Sequence, residues 1–422
     1  MGIAKGKNYF DSIRFCYPFF IYFLFLQHER RTSIIDLRKF AYSGTGNDLK
    51  LLSIDNAGYL RIYNSLAANE DRSFLTSLKN HLKSFKKKYS ENFSKGLPKI
   101  TSCDIDSTNI VFGNENGDIF YLNIETNIFL YDKLCPPWER HVSDCMFLRS
   151  YDNLINFAAF SENYICHFSI DLSTQNITKY GLSFTDIIES IDNVKLTCRD
   201  EIFESIHKHG RNKWLFIVTN NGKIILIDYS DNKLKTLKIY SLPNEKISCI
   251  NFALWKSNYE ILIIGTCIKK IFFHLIKIDH NFIEHENLLS TREKVIDTIG
   301  IPRTIAYCDE RSILFVGHDD GTIANIKLTS KDSKWKLFNS TQKGWILDMI
   351  HSSKYDILIS GANSICIWKA TTGELLQNIL TQGKIYKLHA AFERNILNNS
   401  SFPSITIATV SDASCLYTFK TI

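Results

Sequence analysis

Asn114-Glu-Asn-Gly117-Asp-Ile-Phe-Tyr-Leu122 reads as a tight turn running straight into a strand. A two-strand hairpin needs positive φ at its turn, and Gly117 adopts it at the least steric cost. Ahead of the turn stands a short apolar run, Ile110-Val111-Phe112; after it, apolar residues alternate at period two, as a half-buried strand requires.

The same grammar recurs along the chain. Clear copies are Asp55-Asn-Ala-Gly58-Tyr-Leu-Arg-Ile-Tyr63, Asn220-Asn-Gly222-Lys-Ile-Ile-Leu-Ile227 and Asp319-Asp-Gly321-Thr-Ile-Ala-Asn-Ile326. Gly361-Ala-Asn-Ser-Ile-Cys-Ile-Trp368 has a tighter turn. Weaker copies run from Glu162 to Phe168, from Ile268 to Phe273 and from Asp412 to Thr418. The post-turn strands start near residues 58, 117, 163, 222, 269, 321, 363 and 413, at intervals of 42 to 59. A four-stranded propeller blade takes roughly 40–45 residues, so most intervals hold one blade plus a loop and the two longest hold insertions.

At this point the chain resembles the WD40-repeat family. The likeness is carried by His28, Ile34-Ile35-Asp36-Leu37, Phe40, Leu51-Leu52-Ser53 and Gly58-Tyr-Leu-Arg-Ile-Tyr63-Asn64. Trp345-Ile-Leu-Asp348 with Ser364-Ile-Cys-Ile-Trp368-Lys369 comes next, then Thr304-Ile-Ala-Tyr and Asp320-Gly-Thr-Ile323. The Gly-His and Trp-Asp dipeptides of the family are mostly missing, and Gly317-His318 stands in the wrong part of its repeat. The resemblance implies an all-β chain: a single WD40-like β-propeller of seven or eight four-stranded blades over residues 28–422, with one basic helical insertion. It also implies that His28, Ser53 and Asp55 belong to a structural hydrogen-bond network around the first blade.

Residues 1–27 hold an apolar stretch, Phe15 to Leu26, of 12 residues. A bilayer-spanning helix needs about 20, and no small-residue cleavage site follows. The last repeat supplies three strands, and closed propellers leave no open sheet edge. A strand from residues 16–26 that completes the last blade is therefore the favoured expectation. A targeting or anchoring segment and a spurious upstream extension are its alternatives.

Residues 65–97 form the basic insertion. Phe74, Leu78, Leu82, Phe85, Tyr89 and Phe93 recur at helical spacing and draw one apolar stripe. Lys79, Lys83, Lys86, Lys87 and Lys88 lie mostly off it. A helix on the rim with solvated lysines accounts for this pattern. A partner-docking or nucleic-acid surface and a nuclear-import signal are the sharper readings. A second insertion, residues 181–213, reads as loop with one short helix or strand.

Composition narrows the function classes. The net charge of +6 permits an acidic partner without demanding one. Eleven cysteines without a Cys-x-x-Cys suit a reducing compartment, nucleus or cytoplasm. No phosphate loop, His-Glu-x-x-His or nucleophile elbow occurs, and Cys198 with His207 and His209 lacks a fourth zinc ligand. His318-Asp319-Asp320 sits at a turn, where Asp bonds locally. The chain also lacks the Phe-Arg-Arg-Gly motif of phosphoinositide-binding propellers.

The expectation is thus no catalysis, no cofactor and no metal. A protein–protein scaffold within an intracellular complex comes first. An RNA-associated subunit using the basic insertion comes second, and a propeller anchored to a membrane through residues 15–26 third. A small-molecule substrate is not expected.

Overall fold

The computed structural model describes residues 21–26, 37–43, 50–55, 60–64, 100–106, 109–123, 126, 128–134, 141–148, 154–162, 164–183, 203–208, 214–229, 234–242, 246–256, 259–277, 294–328, 334–381, 383–393, 404–411 and 416–421. These residues build eight antiparallel sheets and contain no helix.

Seven of the sheets are meanders in which sequence neighbours pair, and the eighth adds a distant strand to such a meander. The first holds β2 (Leu37–Ser43), β3 (Lys50–Asp55) and β4 (Leu60–Asn64). The second holds β5 (Ile100–Asp106), β6 (Asn109–Asn114), β7 (Asp118–Asn123) and β8 (Phe129–Lys133). The third holds β9 (Asp144–Phe147), β10 (Leu154–Ser161), β11 (Tyr164–Asp171) and β12 (Asn176–Ser183). The fourth holds β13 (Phe203–Lys208), β14 (Trp214–Thr219), β15 (Lys223–Asp228) and β16 (Lys235–Ser241).

The fifth holds β17 (Ile247–Lys256), β18 (Tyr259–Thr266), β19 (Lys270–Lys277) and β20 (Lys294–Asp297). The sixth holds β21 (Pro302–Cys308), β22 (Ile313–His318), β23 (Ile323–Lys327) and β24 (Lys336–Leu337). The seventh holds β25 (Asp348–Ser352), β26 (Ile357–Gly361), β27 (Ser364–Lys369) and β28 (Glu374–Leu380). The eighth joins β29 (Ile385–Glu393), β30 (Ser404–Ser411) and β31 (Leu416–Thr421) to a strand from the other end of the chain, β1 (Ile21–Leu26). β1 pairs antiparallel with β31, from Ile21 opposite Thr421 to Leu26 opposite Leu416.

Every hairpin singled out in the sequence falls between the second and third strands of its sheet. Gly117, Gly222 and Gly321 have φ of 79°, 77° and 84°, and Lys269 takes the same role at 63°. Of residues 181–213, the first three end β12 and residues 203–208 form β13, the opening strand of the fourth sheet. That short strand was among the expected elements of the second insertion, and it opens the fourth sheet.

The expected half-buried third strand is corrected. All six residues of β7 are buried, as are four of six in β15 and five of six in β27, and the second strand β14 is buried throughout. The sheets of these strands are covered on both sides, so their inner strands carry continuous apolar runs. Fourth strands are more open: β12 and β28 each have about half their residues exposed and hold one buried residue between them.

Neighbouring sheets meet through their first strands: β2 on β5, β5 on β9, β9 on β13, β17 on β21, β21 on β25 and β25 on β29. Phe216 of β14 and Phe252 of β17 join the fourth and fifth sheets with ring centroids 4.7 Å apart. β2 also lies against β29 and β30, which makes the first and last sheets neighbours.

Candidate functional site

The chain leaving a fourth strand passes over the hairpin turn of its own sheet. Leu134, Leu242, Thr298 and Gln342 donate their backbone N–H to the carbonyls of Gly117, Gly222, Lys269 and Gly321. Hairpin turns and first-strand starts therefore share one side of the molecule, here the turn face.

Under that face lies a cavity of about 560 Å³ where the first strands of five sheets converge. β13 contributes His207, β17 Asn251, β21 Arg303, β25 Asp348 and β29 Lys387. Much of this polar lining is committed to holding sheets together. Asp348 accepts the N–H of Leu388 at 2.8 Å and that of Met349 at 3.0 Å. Lys387 Nζ stands 3.6 Å from the same carboxylate. Burial raises the Asp348 pKa; Lys387 and the two N–H donors pull against that rise. Asn251 donates to the Ile305 carbonyl at 2.6 Å and accepts from the Phe252 N–H at 2.7 Å. Outside the cavity, Asp104 accepts the Phe147 N–H at 2.7 Å, again from one first strand to the next.

Ser205 Oγ lies 2.9 Å from His207 Nε2 on the cavity wall. Ser–His proximity invites a nucleophilic reading. Burial, with the Lys387 charge second, pushes the imidazole down to about 4. A base so weak removes little of a serine proton near neutral pH, and no carboxylate contributes to its environment. The pair forms a part-buried hydrogen bond.

The cavity opens onto exposed aromatic and cationic groups. Trp345, 45% exposed, has the Arg303 guanidinium 4.2 Å and the Lys384 ammonium 4.5 Å from its ring centroid. Lys384 also reaches the Tyr386 ring at 5.9 Å, and Tyr386 is 50% exposed. Arg303 is the link, since it lines the cavity and lies on Trp345.

Lys79, Lys83, Lys86, Lys87 and Lys88 lie outside the described residues, as do His28, Cys198 and His209 and the whole of residues 65–97. Ser53 and Asp55 stand on β3, opposite Phe40 and Leu37 of β2. His318-Asp319-Asp320 serves its turn: Thr322 donates to Asp320 at 2.9 Å, Ile301 to Asp319 at 3.0 Å, and the Thr322 hydroxyl lies 3.0 Å from His318 Nδ1. Among the described residues no cluster of three or more His, Cys, Asp or Glu could hold a metal ion. No helix among them is long and apolar enough to cross a membrane.

Two features went unread in the sequence. One is the Arg303–Trp345–Lys384–Tyr386 group, spread over three separate stretches. The other is a glycine closing the second strand. A Cβ on Gly113 would lie 2.5 Å from Val142, on Gly317 2.5 Å from Ile346, and on Gly361 2.8 Å from Ile385. Each neighbour enters the following sheet, so Gly317, set aside as misplaced, is a packing glycine. Its signal was a Gly four residues ahead of the turn Gly in two copies, Gly113 with Gly117 and Gly317 with Gly321.

No family model matches the chain, and no curated protein matches it. Solved structures do, in 1454 chains, so the architecture is widely used and by itself says nothing about function. One is the crystal structure of the computationally designed Ika8 protein, at 12% identity and a TM-score of 0.56 over 92% of this chain and 98% of that one. That likeness concerns the fold alone.

Proposed function

We propose that the eight sheets are blades of one closed, WD40-like β-propeller that acts as a non-catalytic scaffold, holding other proteins within an intracellular complex of the nucleus or cytoplasm. Closure is supported by first-strand contacts from β2 to β13 and from β17 to β29 and back to β2, with Phe216 and Phe252 joining the fourth and fifth sheets. It is supported too by β1, which adds a chain-terminal fourth strand to the sheet of β29–β31. A closed ring removes sheet edges and carries loops on both faces of a rigid frame.

The observation that carries the scaffold reading is the exposed Trp345 and Tyr386, set among cations on one face. Aromatic and arginine side chains dominate interface energetics. The commitment of Asp348, Asn251 and His207 to structural bonds favours binding over chemistry.

Purification of the tagged protein from its own cells, with and without nuclease, followed by mass spectrometry tests this. A stoichiometric, nuclease-resistant set of proteins is expected. Recovery of the chain alone overturns the scaffold, and partners lost to nuclease move the function to RNA.

A further inference from the structure

We propose that Arg303, Trp345, Lys384, Tyr386 and Lys387 form a docking site for an acidic peptide segment of a partner protein, above the cavity on the turn face. This rests on the scaffold reading and names its partner chemistry.

Three observations converge. First, two cations share one indole: Arg303 at 4.2 Å and Lys384 at 4.5 Å from the Trp345 centroid. Like charges fixed on one ring repel, and the arrangement gains most when an anion joins it. The ring also restrains two long side chains before any ligand arrives, which removes part of the ordering cost of binding.

Second, the buried Nε of Arg303 has no hydrogen-bond partner. Buried donors are nearly always paired, so an N–H on the cavity wall without an acceptor points to an acceptor supplied from outside. A carboxylate suits a guanidinium fork geometrically. The carboxylate already present, Asp348, is occupied by Leu388, Met349 and Lys387.

Third, the volume and walls fit a peptide. About 560 Å³ takes a few side chains, and Ile247, Ile305, Leu347 and Met349 offer an apolar floor beside the cations. Trp345 and Tyr386, with Leu380 at 82% exposure on the same face, can take further apolar side chains. A nucleic-acid strand fits less well. Three cations fall short of the roughly 6–10 phosphate contacts of a strongly salt-dependent nucleic-acid binder. In the bound state a Glu or Asp side chain lies between Arg303 and Lys384, with an adjacent apolar residue on the Trp345 ring.

The test pans a random 12-residue phage-displayed peptide library on the full chain. Selected peptides are then measured by fluorescence anisotropy, with a U12 oligoribonucleotide as competing probe. Expected are peptides pairing Asp or Glu with Leu, Phe or Trp. Arg303→Gln and Trp345→Ala should each weaken them about tenfold or more. Lys354→Gln, on the opposite face, should change nothing, and circular dichroism and thermal unfolding check that all variants fold.

Peptides without acidic residues, or affinities unmoved by Arg303→Gln, overturn the site. Displacement by U12 with tighter binding of the RNA itself reassigns it to nucleic acid. A stoichiometric native complex that survives both substitutions leaves the scaffold standing and removes this site alone.

Discussion

The carboxylate of Asp348 on β25 accepts the backbone N–H of Leu388 on β29 at 2.8 Å, a bond that crosses from one sheet to the next. Asp104 does the same for Phe147 at 2.7 Å, while Asn251 reverses the polarity and donates to the Ile305 carbonyl at 2.6 Å. Sheets that share no ladder are thus tied by single polar side chains along the first strands. Such bonds are worth most where water is excluded.

Polarity supplies the first prediction. Asn251→Asp sets a carboxylate against the Ile305 carbonyl, whereas Asn251→Ala only removes the donor. Asn251→Ala should cost about 1–3 kcal/mol and Asn251→Asp more at neutral pH. Urea unfolding of both variants decides it; equal losses would mean that the carbonyl finds another donor.

Glycine packing supplies the second. A Cβ at Gly317 would meet Ile346 Cγ2 at 2.5 Å, closer than a van der Waals contact permits. Gly317→Ala should destabilise by about 1–3 kcal/mol through overpacking. Shortening the neighbour with Ile346→Ala should recover part of that loss in the double variant. Strictly additive losses would show that the two side chains do not compete for one space.

The third concerns the buried network around Trp368. Its indole N–H donates to Ser360 Oγ at 2.8 Å; Ser360 donates to Gln342, whose Nε2 reaches the Ser364 carbonyl at 2.9 Å. Trp368 and Ser360 are fully buried. Ser360→Ala leaves the indole N–H and Gln342 Oε1 without their partner and should cost about 1–3 kcal/mol. Retained stability in thermal unfolding would refute the network.

Acid sensitivity gives the fourth. His207 has its pKa lowered from 6.5 to about 4, so the unfolded chain binds the proton more readily between those values. Its stabilising contribution is complete above pH 6.5 and is lost as pH falls toward 4, on the order of 3 kcal/mol. Burial lowers His318 and His351 as well, with the same sign, and the raised Asp348 acts in the opposite direction. His207→Gln should flatten the stability profile between pH 6.5 and 4. An unchanged slope would show that His207 does not set it.

The fifth addresses β1. Removing residues 1–26 takes away all six pairings with β31 and bares that edge. The unfolding midpoint should drop by several degrees, and the freed edge should favour self-association, visible in light scattering. An unchanged midpoint would sink the clasp.

What sequence alone determined is the repeating hairpin. Positive φ at Gly117, Gly222 and Gly321, and period-two apolar strands beside them, are local requirements that residue type announces directly. Eight such copies correspond to eight sheets, and Lys269 shows how far a copy can drift while keeping the turn. Burial was legible only in part. The apolar runs of β14 and β7 marked strands, but that both faces are covered depends on sheets distant in sequence.

Only the tertiary structure decided the candidate site. Arg303, Trp345, Lys384 and Tyr386 belong to three first strands and the connections that enter them, and nothing in their local spacing foretells that two cations share one indole. The same holds for Asp348 and Leu388, 40 residues apart. Local backbone preference can be read from neighbours along the chain. Exposure, charge pairing and cavity walls are properties of the assembled sheets, because water and dielectric at a side chain are set by whatever the fold brings beside it.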